Sequence, residues 1–277
     1  MTSMPIESAV APPLPASVAR PSAARVIGAL MGRDLRRFFR QPSRVVGSVA
    51  QPLLLWAVLG AGFADSFRAA GTGYLNYFFP GTIVLAMLFT AIFSTMSVID
   101  DRHHGFLQAV LVAPVSRTAL VLGKTLGGVA IALVQAVAFV ALAPLAGFSF
   151  GSMDLPFVFA VLALTAVGFT ALGFAVAWWI DSTQGYHGIM SVALLPLWML
   201  SGAMFPPSGS HRWVALVMRV NPMTYAVSAV RRGLGGLATD GAAGLLSGVP
   251  ATLEIAATGL FAVAAIGLAV GVCRRRS

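Results

Sequence analysis

The amino-acid sequence predicts an all-helical integral membrane protein with six transmembrane helices. Of its 277 residues, 58% are hydrophobic and only 10% are charged, a composition outside the usual range of soluble domains. The apolar residues form runs of about the 20 residues that a helix needs to cross a bilayer. The predicted spans, within a membrane domain at residues 43–274, are 45–63, 77–99, 125–146, 156–180, 189–205 and 252–272.

The N-terminal part has two different patterns. Residues 1–22 are rich in Pro, Ala and Ser and lack apolar periodicity, so we expect a disordered tail. Residues 23–41 have helical periodicity, with apolar side chains on one face and arginines on the other: Arg25, Arg33, Arg36, Arg37 and Arg40. We expect an amphipathic interfacial helix whose arginines meet anionic lipid headgroups. Binding of a partner protein to the basic face is the alternative.

A polar and basic loop, residues 100–124, separates the second and third spans. Within it Phe106, Leu107 and Val110 recur at helical spacing, and Pro114 ends the pattern. The sequence therefore predicts a short helix at residues 105–112, outside the hydrocarbon, where another protein can bind it.

Two carboxylates precede this short helix. Asp100 and Asp101 end the second span, where the helix dipole disfavours negative charge unless a cation lies near or a new helix begins. We expect them to cap the short helix, with Arg102 as the nearby cation. Gly123 and Gly127 form a small-residue face on which the third span can pack closely against a neighbour.

Residues 213–230 are apolar but carry Arg219, Asn221 and Pro222 near their middle. An arginine at mid-bilayer costs about 2.5–3.5 kcal/mol, and proline lacks a backbone donor. We predict two short half-helices that dip toward the membrane between the fifth and sixth spans. Glu254, near the outer end of the last span, is either a functional residue, such as one in the substrate path, or a snorkelling or arginine-paired residue.

The basic residues agree with six spans. With both termini cytoplasmic, 13 of the 18 Lys and Arg residues fall on the cytoplasmic side, as the positive-inside rule requires. The net charge of +9 is therefore explained by cytoplasmic loops, and we expect no nucleic-acid partner. The single cysteine, Cys273, excludes an internal disulfide.

Two catalytic interpretations are disfavoured. Residues 118–125 end in Gly-Lys-Thr but lack the first glycine of a phosphate-binding loop. An intramembrane protease would need Ser201 to face His187 or His211, but His187 lies about 20 Å away along the same helix, and His211 lies outside. We expect no catalytic, nucleotide-binding or metal site in this chain.

Several motifs resemble the type-2 ABC transporter permeases, the membrane subunits of bacterial exporters. They run from about residue 25 to the C-terminus and comprise Arg102, Gly105, Leu107, residues 113–117 (APVSR), Gly123 with Lys124, residues 200–206 (LSGAMFP) and residues 221–225 (NPMTY). His104 and Gln108 depart from the pattern, which has acidic residues there. The resemblance implies that Arg102, His104, Gly105, Phe106, Leu107, Pro114 and Arg117 couple the chain to an ATPase.

The resemblance also implies the rest of the system. It predicts a permease in the bacterial cytoplasmic membrane, two cytoplasmic ATPase subunits that carry ATP and magnesium, and a second permease copy in a homodimer or heterodimer. Lipid surrounds the spans, and the exported substrate is a drug, a lipid or a lipid-linked glycan. Asn221 and Pro222 then belong either to the substrate path or to the structural framework. A membrane-assembly or haem-type export component is the alternative.

Overall fold

The computed structural model describes residues 22–63, 68–69, 72–113, 115–205, 210–235 and 249–275. The predicted disordered tail up to residue 21, Pro114 and most of the connector between the last two spans lie outside the described residues.

The fold is helical apart from a short antiparallel ladder of β1 (Arg68–Ala69) and β2 (Thr72–Gly73). Its helices are α1 (Ala23–Phe39), α2 (Pro42–Gly62), α3 (Tyr74–Ser94), α4 (Met96–His103), α5 (Phe106–Val112), α6 (Arg117–Ala141), α7 (Leu155–Trp179), α8 (Thr183–Trp198), α9 (Arg212–Val220), α10 (Pro222–Gly233) and α11 (Ala251–Arg275). Short 3-10 turns at Ala143–Ala146 and Phe150–Ser152 precede α7, and a π-turn at Met199–Ala203 follows α8.

Within the described ranges, six segments are long and apolar enough to cross a bilayer, which confirms the predicted number of spans. They are Val45–Gly62, Tyr74–His103, Arg117–Ala141, Leu155–Trp179, Thr183–Ala203 and Ala251–Arg275. The third and fifth begin earlier than predicted because a serine caps each helix. The hydroxyl of Ser116 accepts a hydrogen bond from Ala119 N, and that of Ser182 accepts one from Gly185 N.

Helix α3 forms the centre of the bundle. Of its 21 residues, 16 are buried, and it packs against α2, α6, α7 and α10. By contrast, α2 is largely exposed, with Val46, Leu54 and Val58 on its outer face. Exposed apolar side chains are expected where a span meets lipid or another membrane subunit, so α2 lies at the edge of this chain.

Helix α1, the predicted interfacial helix, packs along α6. A Cβ atom at Gly123 would lie 2.8 Å from Leu30 Cδ1, and one at Gly127 would lie 3.3 Å from Asp34 Cβ. The small-residue face predicted on the third span is therefore the surface that brings α1 close to α6.

The predicted half-helices are α9 and α10, separated at Asn221. The Asn221 side chain accepts a hydrogen bond from Met223 N at the start of α10, and Pro222 occupies the first turn, where its missing N–H costs nothing. The side chain of Asn221 also donates to the carbonyl oxygens of Leu197 and Leu200, at 2.6 and 2.9 Å. It thereby provides hydrogen-bond donors for two carbonyl groups at the change from α8 to the π-turn, where helical partners are missing.

We predict that Gly81→Ala destabilises the bundle, because the added Cβ would lie 2.5 Å from Ala203 Cβ and 2.9 Å from Ala203 Cα. Overpacking of this kind costs about 1–3 kcal/mol, so the midpoint of thermal unfolding of the purified protein should fall. Gly267→Ala is the matched control, since a Cβ there meets nothing within 4 Å. Equal midpoints for the two variants would contradict the prediction.

Candidate coupling site

The short helix α5 follows a tight reversal at Gly105. Gly105 has φ +73°, in the left-handed region, where a side chain costs roughly 1–2 kcal/mol. This geometry lets the chain turn from α4 into α5 within two residues, so the sequence prediction of a separate helix at residues 105–112 is confirmed.

The first turn of helix α5 is packed against the bundle, and its last turn is exposed. Leu107 is 3% exposed, and Phe106 and Val110 are half-buried against the core. Leu111 and Val112 are 38% and 88% exposed. The last turn of α5 thus presents apolar side chains outside the bundle, on a helix whose first turn is held by packing.

Arg33 joins α5 to α1 and α4. Its guanidinium lies over the Phe106 ring, with Cζ 3.9 Å from the ring centroid. The same group donates two hydrogen bonds to the Asp101 carboxylate, at 2.7 and 2.9 Å. This bidentate pair fixes the orientation of the guanidinium and so positions the face of α5 that packs on it.

Arg33 belongs to a set that we call the charge cluster, in which α1, α4 and α6 meet. Its members are Arg33, Asp34, Arg37, Asp100, Asp101 and Lys124. Three cations face three carboxylates, so the set is neutral overall. The buried members Asp34, Asp101 and Lys124 are tolerated as charges only because they are paired and hydrogen-bonded.

Lys124 is the centre of the charge cluster. Its side chain is 2% exposed, and its ammonium donates to both Asp34 carboxylate oxygens at 3.0 Å and to Asp101 Oδ2 at 2.5 Å. The Ser97 hydroxyl lies 3.4 Å from the same nitrogen. One ammonium group therefore holds a carboxylate from α1 and another from α4.

The outer members of the cluster are more accessible. Arg37 pairs with Asp100 at 2.9 Å, with both side chains about one-third exposed.

Burial raises the pKa of the Asp34 carboxyl above its ordinary value, and the Lys124 ammonium opposes that shift. The hydrogen bond to Asp101 raises the pKa of Arg33, so this guanidinium stays charged.

The structure corrects two predictions about these charges. Asp100 and Asp101 do not cap α5: among the described hydrogen bonds neither carboxylate accepts from a backbone N–H of α5. Asp100 pairs instead with Arg37, and Asp101 with Arg33 and Lys124. Arg33 and Arg37 turn toward Asp101 and Asp100, and not toward lipid headgroups as predicted. Arg25, Arg36 and Arg40 remain on the exposed side of α1.

The other predicted coupling residues lie around this centre. Arg102 pairs with Asp181 at 2.5 Å and donates to Trp178 O at 2.9 Å, which ties α4 to the turn between α7 and α8. Arg117 donates to Cys273 O at 3.2 Å and joins the start of α6 to the end of α11. His104 is exposed, with Nδ1 2.7 Å from Asp100 O.

The residues predicted near the outer side form a second group. Glu254 is fully buried; it accepts hydrogen bonds from Arg232 Nε at 3.1 Å and from the Ser228 hydroxyl at 2.6 Å. These contacts connect α10 to α11. Glu254 therefore has an arginine partner, and Asn221 with Pro222 caps α10 as described above.

The residues considered for catalysis have structural partners. Ser201 donates to Trp198 O within its own turn, and His187 is 3.4 Å from the Ser191 hydroxyl. Across the described ranges, no group of three or more His, Cys, Asp or Glu side chains is arranged to hold a metal ion.

Six apolar spans, an amphipathic N-terminal helix and a short helix between the second and third spans define a multi-pass helical membrane protein. The sequence matches the ABC-2 type transporter family model over residues 25–234. The chain therefore belongs to the ABC-2 type transporter family. Proteins of this family are membrane subunits of ABC transporters, which work with ATP-binding subunits.

The chain is also similar to individual curated proteins over most of their length. The daunorubicin resistance ABC transporter permease protein DrrB1 of Streptomyces coeruleorubidus is 26% identical over 84% of this chain and 84% of its own length. The ycf38 protein of Porphyra purpurea is 27% identical over 74% of this chain and 72% of its own. Nodulation protein J of Neorhizobium galegae is 24% identical over 85% and 87%.

We predict that Lys124→Met strongly destabilises the protein, because it leaves the Asp34 and Asp101 carboxylates buried without their shared cation. Removing one partner of a buried ion pair costs about 3–5 kcal/mol, which should appear as a lower midpoint of thermal unfolding. The double variant Lys124→Met with Asp34→Asn should recover part of the loss.

Arg40→Gln is the control for this experiment, since Arg40 carries the same charge as Lys124 but lies exposed at the end of α1. A Lys124→Met protein that unfolds at the same temperature as Arg40→Gln would show that the charge cluster does not hold these helices together.

Proposed function

We propose that the chain is the membrane-spanning subunit of an ATP-driven exporter, and that a separate ATPase binds helix α5. The observation that carries this proposal is the exposed apolar end of α5, at Leu111 and Val112, on a helix anchored at Phe106 and Leu107. An apolar patch held rigidly at the surface suits a protein partner. Membership of the ABC-2 family supports an ATP-binding partner in particular.

The proposed mechanism uses the contacts of α5 and the charge cluster. ATP-driven closure of the ATPases displaces α5, and the Arg33 contact with Phe106 passes this displacement to α1. Lys124 links the same movement to α6. Arg102, through Asp181, extends it to the start of α8. Because rigid helices joined by short ion pairs move together, a displacement of α5 rearranges several spans.

The substrate path in this proposal lies between two copies of the permease, alike or different. Its support is the exposed apolar surface on α2 and α8, which includes Val58 and Val192 at 66% and 77% exposure. Two ATPase subunits then serve the pair, with ATP and magnesium bound by those subunits. The name of the relative DrrB1 states daunorubicin resistance, which supports an organic exported substrate such as a drug, a lipid or a lipid-linked glycan.

The proposed location is the bacterial cytoplasmic membrane, with both termini and α5 on the cytoplasmic side. The distribution of basic residues supports this orientation. In this arrangement α9 and α10 dip toward the membrane from the outer side, and the arginines of α1 that the charge cluster does not use lie at the lipid headgroups.

We expect Val112→Asp to weaken binding of the proposed ATPase partner by at least about 30-fold. A charge in the centre of an apolar contact costs roughly 2 kcal/mol or more. Co-purification and titration of the two proteins measure the effect. Because Val112 is 88% exposed, membrane insertion and thermal stability should not change.

Val220→Asp is the matched control, since Val220 is 76% exposed at the end of α9, on the opposite side of the proposed membrane. The proposal fails if Val112→Asp binds the ATPase as tightly as the unaltered chain, or if the purified permease transports its substrate with no ATPase present.

The orientation has its own test. In a Cys273→Ser background, a cysteine at Gln108 should react with a membrane-impermeant maleimide only when the cytoplasmic face is open to the reagent. A cysteine at Ser210, between the fifth and sixth spans, should react from the opposite side. Labelling of position 108 in intact cells would overturn the proposed orientation.

A further inference from the structure

Helix α2 has a break in its backbone hydrogen bonds at Pro52, in the middle of the helix. Proline has no N–H, and its ring crowds the carbonyl four residues earlier. The carbonyl oxygen of Ser48 therefore lacks its usual helical donor. Sharp changes of direction in helices are found mostly at such positions, so Pro52 is the point at which α2 can bend.

Gln135 of α6 takes the place of the missing donor. Its Nε2 donates to Ser48 O at 2.6 Å, and the Ser48 hydroxyl lies 3.2 Å from its Oε1. Gln135 is 4% exposed, and a buried amide is stable only when its polar atoms are hydrogen-bonded. Both ends of this amide are used on one residue of α2, so Gln135 fixes α2 to α6 one turn before the proline.

The part of α2 that follows Pro52 is held by a different helix. Trp56 Nε1 donates to Leu75 O at 3.0 Å, and the Trp56 ring meets the Phe79 ring edge-on at 5.3 Å. Gly60 leaves room for this approach, because a Cβ atom there would collide with the Leu75 side chain. The two parts of α2 are thus attached to different helices, the first to α6 and the second to α3.

Helix α6 carries Gln135 and Lys124 on the same face. The two residues are 11 positions apart, which is about three helical turns, or about 16 Å. Lys124 holds Asp34 and Asp101 in the charge cluster, and Gln135 holds Ser48. A displacement of α6 that begins at the charge cluster therefore acts on α2 at Ser48.

The proline break lies in the wall of a groove between α2 and α8. The groove has a volume of about 440 Å³, with Ser48 and Pro52 on one side and Leu195 on the other. A bend of α2 at Pro52 changes the separation of these two walls. The bond from Gln135 therefore controls the shape of the groove.

We propose that Gln135 is a positioning residue for transport. It replaces the donor that Pro52 lacks, and through this bond a displacement of α6 bends α2 and changes the width of the groove. This inference rests on the proposed function and extends its mechanism from α6 to α2.

The first experiment tests whether Gln135 replaces the missing donor. Gln135→Leu keeps a similar side-chain volume but leaves the Ser48 carbonyl without this partner, so the midpoint of thermal unfolding of the full chain in lipid nanodiscs should fall by about 5 °C. Pro52→Ala restores a backbone N–H at position 52. Gln135→Leu should therefore lower the midpoint much less when it is made in the Pro52→Ala chain.

Gln51→Leu is the matched control, since it removes the same amide from an exposed residue directly before Pro52, and it should not lower the midpoint. A residue that only packs between α2 and α6 would cause the same loss in both backgrounds, so equal losses overturn the role of Gln135. If Gln135→Leu alone does not fold, recovery of folding by added Pro52→Ala supports that role, and no recovery overturns it.

The second experiment measures the bend of α2 in the complex with the ATPase. In a Cys273→Ser background, Val46→Cys and Ala61→Cys carry spin labels at exposed positions on either side of Pro52. These positions are about 22 Å apart along a helix. Labelled chain is diluted with unlabelled chain, so that double electron–electron resonance reports distances within one chain. ATP with vanadate should shift this distance, and Gln135→Leu should abolish the shift.

The outcomes separate this inference from the proposed function. An otherwise unaltered chain that binds no ATPase, or whose label distance does not respond to ATP with vanadate, contradicts the proposed function. A distance that responds equally with and without Gln135→Leu overturns only the positioning role of Gln135.

Discussion

The buried ammonium of Lys124 is the constraint on which the packing of α1, α4 and α6 depends. It needs at least one carboxylate within hydrogen-bond distance, and it has two, Asp34 from α1 and Asp101 from α4. Because an uncompensated charge at this depth is strongly unfavourable, the three helices can pack only where these groups meet. The glycines at 123 and 127 allow α1 to approach α6 closely enough for the pairing.

The charge cluster also fixes the position of α5. Arg33 contacts Asp101 and Phe106 at once, so the first turn of α5 is packed against a group that the charge cluster fixes. Its last turn, with Val112, stays outside. A helix held firmly at one end and accessible at the other can transmit force, and Arg102 and Arg117 provide further rigid connections to α8 and α11.

Polar contacts around α10 and α11 have a different role. Asn221 satisfies carbonyl groups at the break after α8, and Glu254 holds α10 to α11 through Arg232 and Ser228. The sequence pattern predicts Asn221 and Glu254, because a polar residue before a proline and an acid within an apolar run are easily noticed, but it does not single out Arg232 or Ser228 as partners of Glu254. The roles of Asn221 and Glu254 were left open between substrate path and framework, since a pattern along one chain does not identify the partner of a side chain.

The sequence by itself determined the number of spans, the amphipathic α1, the separate helix α5 and the break at Asn221. Each follows from local composition, periodicity or backbone chemistry within a few residues. Only the tertiary structure decided where the charges go. Arg33 and Asp101 are 68 positions apart, and Lys124 and Asp34 are 90 apart, so helical periodicity alone assigns the arginines of α1 to lipid. Leaving the buried Asp101 carboxylate without a cation would cost about 3–5 kcal/mol, more than the roughly 1 kcal/mol that an arginine gains near a headgroup, so Arg33 turns toward the protein. Arg37 lies beside it and pairs with Asp100.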